Sequence, residues 1–152
     1  MAEPGRRSGV HERVPALSDR LTDETAASAP PGAREAWRTD GAGPTTGGLA
    51  GWQIRRLRQR VEGDLRGLST IELAREARLS VHHFSRAFRR SFGQSPGRWL
   101  TDRRIDRARE LLTTTDRGVV DIARTVGYSG APQLARPFHA RFGVSPLAYR
   151  RR

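Results

Sequence analysis

The chain has 152 residues, no cysteine and a formal net charge of +12, and all 28 of its basic residues are arginine. The absence of cysteine excludes disulfides, thiolate zinc sites and cysteine nucleophiles. No stretch approaches the ~18 apolar residues that span a membrane, and the N-terminus lacks the apolar core of a secretory signal, so we expect a cytoplasmic protein. The positive charge suggests a polyanionic partner but does not by itself distinguish DNA, RNA and anionic lipid.

The charge is distributed unevenly. Residues 1–50 carry six Arg and seven acidic residues, whereas residues 51–152 carry 22 Arg and nine acidic residues, so the net charges are −1 and +13. The first part is rich in Ala, Gly, Pro, Ser and Thr, and it cannot bury enough apolar surface to offset the entropy lost on ordering. We therefore predict a disordered tail over residues 1–50 and one folded domain over residues 51–152, which has helical rather than strand periodicity.

The folded part contains an internal repeat. Residues 84–96 and 134–146 share Arg, Phe, Phe, Gly, Ser and Pro in register at an offset of 50, and residues 73–77 match residues 122–126 at an offset of 49. Two copies are too few for a stacked solenoid, which needs three or more. The repeat therefore predicts two related subdomains side by side.

Helix signals in the first copy predict a helix, a tight turn and a second helix. Ser69 and Glu72 fit a capping box at the start of the first of these helices. Ser80 is a suitable N-cap for the second, over residues 81 to about 91. A further helix is predicted upstream, over residues 52 to about 62. Four aromatic residues are expected in the core: Phe84, Phe88, Trp99 and Phe138.

The chain between the copies predicts a long helix. Ser95 followed by Pro96 is typical of a helix start, and the helix over residues 96–112 would be roughly 25 Å long. A rigid helix of that length would fix the separation of the two subdomains.

The second copy repeats the helix-turn-helix pattern with one disruption. Its first helix is predicted over residues 118–126, with Gly127 in a left-handed turn and Ser129 as the next N-cap. Pro137 lies about two turns into the helix that follows, where it removes a hydrogen bond and clashes with the preceding turn. We expect this helix to be kinked or shortened.

Seven motifs follow one another in chain order: Leu73-Ala74-x-x-Ala77-x-x-Ser80, Phe84-x-Arg86-x-Phe88, Phe92-Gly93-x-Ser95-Pro96, Arg104-Ile105-x-x-Ala108-x-x-Leu111-Leu112, Ile122-Ala123-x-x-x-Gly127-Tyr128, Arg136-x-Phe138 and Phe142-Gly143-x-Ser145-Pro146-x-x-Tyr149-Arg150. This pattern, which covers roughly residues 52–152, resembles the DNA-binding domain of the AraC/XylS family of bacterial transcription regulators. The resemblance implies an all-α fold in which two helix-turn-helix subdomains are joined by a long linker helix. It also implies sequence-specific binding of double-stranded DNA and regulation of transcription, through two recognition helices in successive major grooves.

The resemblance implies which residues contact DNA. A recognition helix lays its outward N-terminal residues into the major groove. Base contacts are expected from the outward residues of both copies, namely His82, Ser85, Arg86, Gln133 and Arg136. Arg86 suits the bidentate contact to guanine O6 and N7, with an intradomain ion pair or a phosphate contact as alternatives. Contacts to the DNA backbone are expected from arginines and helix-capping serines, namely Ser69, Arg78, Ser80, Arg89, Arg90, Ser95, Ser129 and Arg141. Since Ala131 and Pro132 carry no side-chain hydrogen-bonding group, we expect the second unit to discriminate bases poorly and mainly to grip phosphates.

Other interpretations remain open. A non-specific or architectural nucleic-acid binder is favoured by the high arginine content and the weak second recognition helix, and a protein-interaction module is a further alternative. An enzyme is disfavoured because the histidines and acidic residues form no recognisable catalytic triad, metal-binding pattern or phosphate loop. We expect no cofactor and no metal, and a monomer or weak dimer at the nucleoid. The expected partner is promoter or operator DNA, with RNA polymerase as a further candidate.

Overall fold

The computed structural model describes residues 47–151, and within them only helices and turns occur. The seven helices are α1 (Gly51–Gly63), α2 (Thr70–Glu76), α3 (Val81–Phe92), α4 (Pro96–Thr114), α5 (Val119–Thr125), α6 (Ala131–Phe142) and α7 (Pro146–Arg150). The first unit is α2 with α3, the second unit is α5 with α6, and α4 is the linker helix between them. The predicted all-α fold with two helix-turn-helix units is therefore confirmed. Residues 1–46 of the predicted disordered tail lie outside the described residues.

Serine hydroxyls cap three helices as predicted. In each case the serine Oγ accepts a hydrogen bond from the amide three residues later, at 3.2 Å for Ser69, 3.3 Å for Ser80 and 3.4 Å for Ser95. The Glu72 carboxylate does not complete the predicted capping box, because it accepts a hydrogen bond from Arg75 at 2.7 Å instead.

The helices of the second unit start differently. Gly118 precedes α5 and Gly130 precedes α6, and neither residue has a side chain that could accept a hydrogen bond from the first turn. The prediction that Ser129 caps α6 is wrong, because the extended Gly130 is the N-cap and the helix begins one residue later than expected. The Ser129 amide instead donates to the Gln133 Oε1 at 3.0 Å.

Each recognition helix packs against an aromatic side chain of the helix that follows it. In α3, the Phe88 ring lies 5.4 Å from the ring of Trp99 in α4. In α6, the Phe138 ring lies 5.5 Å from the ring of Tyr149 in α7. Both pairs are edge-on, a favourable geometry for aromatic rings. Helix α7 is absent from the predicted elements, although its start repeats the Ser-Pro signal that begins α4. The four aromatic residues predicted for the core are at most 4% exposed: Phe84, Phe88, Trp99 and Phe138.

The segment just before α1 also belongs to the folded part. Leu49 is 2% exposed, and its amide donates a hydrogen bond to Ser91 Oγ at 2.8 Å. The buried Gln53 side chain donates to the Ala77 carbonyl and accepts from the Ala50 amide, each at 2.7 Å. The core therefore includes residues upstream of the boundary predicted at residue 51.

Helix α6 continues through Pro137 to Phe142 and has the same length, 12 residues, as α3. The prediction that Pro137 shortens this helix is therefore wrong, whereas the predicted kink stays a prediction. Leu134 and Phe138 are fully buried on the inner face of α6. Burial of that face holds the helix together although the proline cannot donate to the Gln133 carbonyl.

Pro137→Ala is expected to raise the free energy of unfolding by about 1–3 kcal/mol, because it restores this hydrogen bond and removes the clash of the proline ring. The reverse change at the equivalent position of α3, Ala87→Pro, is expected to lower it by about 3 kcal/mol or more. Urea denaturation measures both changes. An unchanged midpoint for Pro137→Ala would show that the helix accommodates the proline without cost.

Gly127 lies in the turn between α5 and α6 with φ +92°, as predicted for a left-handed residue. A Cβ at this position would lie 2.6 Å from the Leu65 carbonyl oxygen and 2.9 Å from Arg104 Nε. Gly143, which ends α6 with φ +71°, has open space around the same position. Gly127 is thus required both by its backbone conformation and by the close approach of the first unit.

The two glycines provide a matched test of that close approach. Gly143→Ala is expected to cost about 1 kcal/mol of stability, since only the left-handed conformation is penalised. Gly127→Ala is expected to cost about 2–4 kcal/mol, because the Cβ also collides with a backbone carbonyl. Equal losses in urea denaturation would contradict the close packing of this turn.

Candidate nucleic-acid interface

The outward face of α3 carries the base-contacting residues predicted for the first unit. His82 and Arg86 are exposed and Ser85 is half-buried. Phe84 and Phe88 are fully buried on the opposite face and fix which side of the helix is presented to solvent. The structure therefore brings the three predicted residues together on one accessible surface.

This surface of α3 is strongly basic. The helix holds three arginines and no acidic residue. Arg86 and Arg89 are exposed, and neither forms an ion pair with any residue in the range 47–151. Within that range, the intradomain ion pair considered as an alternative for Arg86 does not occur. Arg90 donates a hydrogen bond to the Gly47 carbonyl at 3.4 Å, so this arginine also anchors the segment before α1.

Arg78 lies in the turn between α2 and α3 in an unusual conformation. Its φ of +55° is left-handed, a region that non-glycine residues rarely occupy. The equivalent residue of the second unit is Gly127. The guanidinium carbon of Arg78 lies 5.9 Å from the ring centroid of Trp52, which is 43% exposed. This cation–π contact holds the predicted phosphate-binding group against α1 at the protein surface.

The second unit presents a less polar surface. Pro132, Gln133 and Arg136 of α6 are exposed, and Ala131 is half-buried. The Gln133 Oε1 already accepts the amide of Ser129, so its predicted base contact competes with a local hydrogen bond. Arg136 occupies the position that corresponds to the first unit's Arg86 and forms no ion pair within the described part of the chain.

Arg141 is directed toward the linker helix. Its Nη1 lies 3.5 Å from Asp102 Oδ1, and its Nη2 lies 3.2 Å from Asp106 Oδ1. The side chain of Arg141 is only 24% exposed. Two carboxylates therefore already neutralise this arginine, and they compete with the phosphate contact predicted for it. The pair also ties the C-terminal part of α6 to α4.

Arg104 of the linker helix contacts the loop before the first unit and the turn of the second unit. Its Nη2 donates a hydrogen bond to the Leu68 carbonyl of the first unit's approach loop at 2.7 Å. Its guanidinium carbon lies 5.4 Å from the ring centroid of Tyr128, in the turn of the second unit. Burial lowers the pKa of Arg104 and raises the pKa of Tyr128. The sequence gives Arg104 only as one position of the family resemblance, because no local pattern indicates which distant groups a linker residue contacts.

Comparisons with known proteins agree with this geometry. Residues 73–152 match a family model described as a helix-turn-helix domain. The HTH-type transcriptional regulator Rv1931c of Mycobacterium tuberculosis is 40% identical over 80 residues, which cover 53% of this chain and 31% of that protein. The transcriptional activator AarP of Providencia stuartii is 34% identical over 91 residues, which cover 59% of this chain and 67% of that protein. The DNA-binding domain of the global transcriptional factor AdpA, solved in complex with a target DNA, is 30% identical with a TM-score of 0.62, covering 66% of this chain and 90% of that one.

Fold and surface thus define a double helix-turn-helix DNA-binding domain. The chain belongs to the AraC-type helix-turn-helix family, and the relatives named above are transcription regulators. The chain matches only 31% of the length of Rv1931c. No helix within residues 47–151 combines the length and apolar character needed to cross a bilayer.

The left-handed conformation of Arg78 predicts that one substitution lowers DNA affinity without lowering the stability of the fold. Arg78→Gly is expected to leave the free energy of unfolding within about 1 kcal/mol of the unsubstituted value or to raise it, because glycine adopts this conformation without strain. The same change is expected to weaken DNA binding, because one cationic group is lost. Urea denaturation and a DNA-binding titration of the same variant check both parts. Unchanged DNA affinity at low salt would remove Arg78 from the interface.

Proposed function

We propose that this chain binds double-stranded DNA in a sequence-specific manner and regulates transcription, with α3 and α6 inserted into successive major grooves. The observation that carries the proposal is the pair Arg86 and Arg136, which occupy equivalent exposed positions on the two recognition helices. Arginine is the side chain that most often contacts guanine specifically, through O6 and N7. The AdpA domain, similar over 66% of this chain, was solved with a target DNA, which supports the same partner here.

The linker helix suits this mode of binding. Major grooves on one face of DNA recur about every 34 Å. Helix α4 has 19 residues, which corresponds to a length of about 28 Å. In this proposal one chain places two recognition helices on one face of DNA and recognises an asymmetric site as a monomer. A contact with RNA polymerase and a location at the nucleoid belong to the same proposal.

The two units contribute unequally to base discrimination in this proposal. The first exposed residue is apolar in both helices, Val81 in α3 and Pro132 in α6. The exposed residues that follow in α3 include His82, Arg86 and Arg89, whereas those in α6 include Gln133 and Arg136. We infer that the first unit supplies most base discrimination. The second unit contributes a base contact from Arg136 and contacts to phosphate. The serines and arginines predicted to contact the DNA backbone likewise bind phosphate in this proposal.

A non-specific or architectural role is the second candidate, because the apolar start of α6 favours it. Selection of binding sites from random DNA, followed by competition at physiological salt, separates the two candidates. A sequence-specific regulator is expected to bind its selected site at least ~10³-fold more tightly than random DNA. A ratio near one would replace the proposal with the non-specific candidate.

Two neighbouring arginines of α3 give a matched prediction for the interface. Arg86→Ala is expected to weaken binding to the selected site by roughly 1–3 kcal/mol and to relax the base preference at one position. Arg89→Ala is expected to weaken binding to all sequences alike and to reduce the slope of log affinity against log salt by about 0.9. Titrations of both variants on selected and random DNA at several salt concentrations measure these effects. If Arg86→Ala also weakens all sequences alike, Arg86 contacts phosphate and not a base.

A further inference from the structure

We infer that Arg104 is a positioning residue that sets the relative placement of α3 and α6, and thereby the half-site spacing that the chain accepts on DNA. This inference rests on the proposed function, because it requires that both units contact one DNA molecule. It concerns a half-buried residue of the linker helix that does not belong to the predicted DNA-contacting set.

Arg104 contacts two segments that are far apart in the chain. One guanidinium nitrogen is bonded to the Leu68 carbonyl at 2.7 Å, just before the first unit begins. The carbon of the same guanidinium group lies 5.4 Å from the centroid of the Tyr128 ring, just before the second unit's recognition helix. A single planar cation therefore joins the loop that leads into the first unit to the turn within the second unit.

The surroundings allow little adjustment at this junction. At Gly127 an added Cβ would come within 2.6 Å of the Leu65 carbonyl and within 2.9 Å of Arg104. The loop of the first unit and the turn of the second unit thus lie against each other, with the guanidinium group between them. On the far side of α4 the Arg141 pair with Asp102 and Asp106 holds α6. These two attachments resist rotation of the second unit about the linker helix.

A fixed junction has a direct consequence for DNA recognition. Inserting one base pair between two half-sites moves one of them by about 3.4 Å and rotates it by about 35°. A rigid pair of recognition helices cannot follow that movement, whereas a loosened pair can. The breadth of the spacing preference therefore reports on the junction, and a general loss of stability or of charge does not change that breadth.

The test uses the full chain and duplexes that carry its selected site with zero, one or two base pairs inserted between the half-sites. For the unsubstituted chain, one inserted base pair is expected to weaken binding at least ~10-fold, comparable with a mismatched position. Arg104→Met retains the apolar stem and removes both the donor and the cation. The same one-base-pair insertion is expected to lower the DNA affinity of this variant less than ~3-fold. Its affinity therefore depends only weakly on half-site spacing, which gives a flattened spacing profile. Arg104→Lys keeps a cation and a donor and is expected to give an intermediate profile.

Two further variants keep the result interpretable. Arg107→Met alters an exposed arginine of the same helix that pairs locally with Glu110, and it should retain the steep profile. If Arg104→Met does not fold, Tyr128→Leu removes the ring and leaves the Leu68 hydrogen bond, and it should also flatten the profile. A steep profile in a folded Arg104→Met or Tyr128→Leu variant overturns this inference alone. Failure of the unsubstituted chain to select any site overturns the proposed function, and this inference with it.

Discussion

The guanidinium group of Arg104 lies where the linker helix, the loop before α2 and the turn before α6 meet. This guanidinium group donates a hydrogen bond to the Leu68 carbonyl and makes a cation–π contact with Tyr128, and the Arg104 side chain is half-buried. The Nη2 hydrogen bond and the contact with the Tyr128 ring offset part of the cost of removing this charge from water, whereas its buried Nε has no hydrogen-bond partner within residues 47–151. Gly127 permits that arrangement because a side chain there would occupy the space between the two units. Without this junction, the linker helix would fix the distance between the two helix-turn-helix units but not their relative orientation.

The two units of the repeat have the same backbone fold but different outer surfaces. Both bury an aromatic row against the following helix, and both end the recognition helix at a left-handed glycine, Gly93 or Gly143. They differ where the sequence is free to vary, because the first unit has serine N-caps and three arginines on α3, whereas the second has glycine N-caps and an internal Pro137. A fold held by its buried face tolerates such changes on the outer face. In the proposed function, base discrimination therefore comes mainly from the first unit.

Much of the fold could be predicted because its signals are local. The N-cap at Ser80 and the left-handed Gly127 each depend on neighbours within a few residues, and the repeat transfers one unit's pattern to the other. The predictions that Ser129 caps α6 and that Pro137 shortens it are wrong for a different reason, since side-chain and core contacts outweigh the local preference. The outward positions of the candidate interface followed from helical periodicity. The ion pairs and hydrogen bonds that engage three polar side chains did not, because they join residues far apart in the chain: Gln53, Arg104 and Arg141.

The central claim is that one chain places two recognition helices on one face of DNA. Hydroxyl-radical footprinting of the full chain on its selected site tests this claim most directly. The account predicts two protected patches on the same face, about one helical turn (roughly 34 Å) apart, at a stoichiometry of one chain per duplex. A single protected patch, or two patches that appear only when two chains are bound, would contradict it.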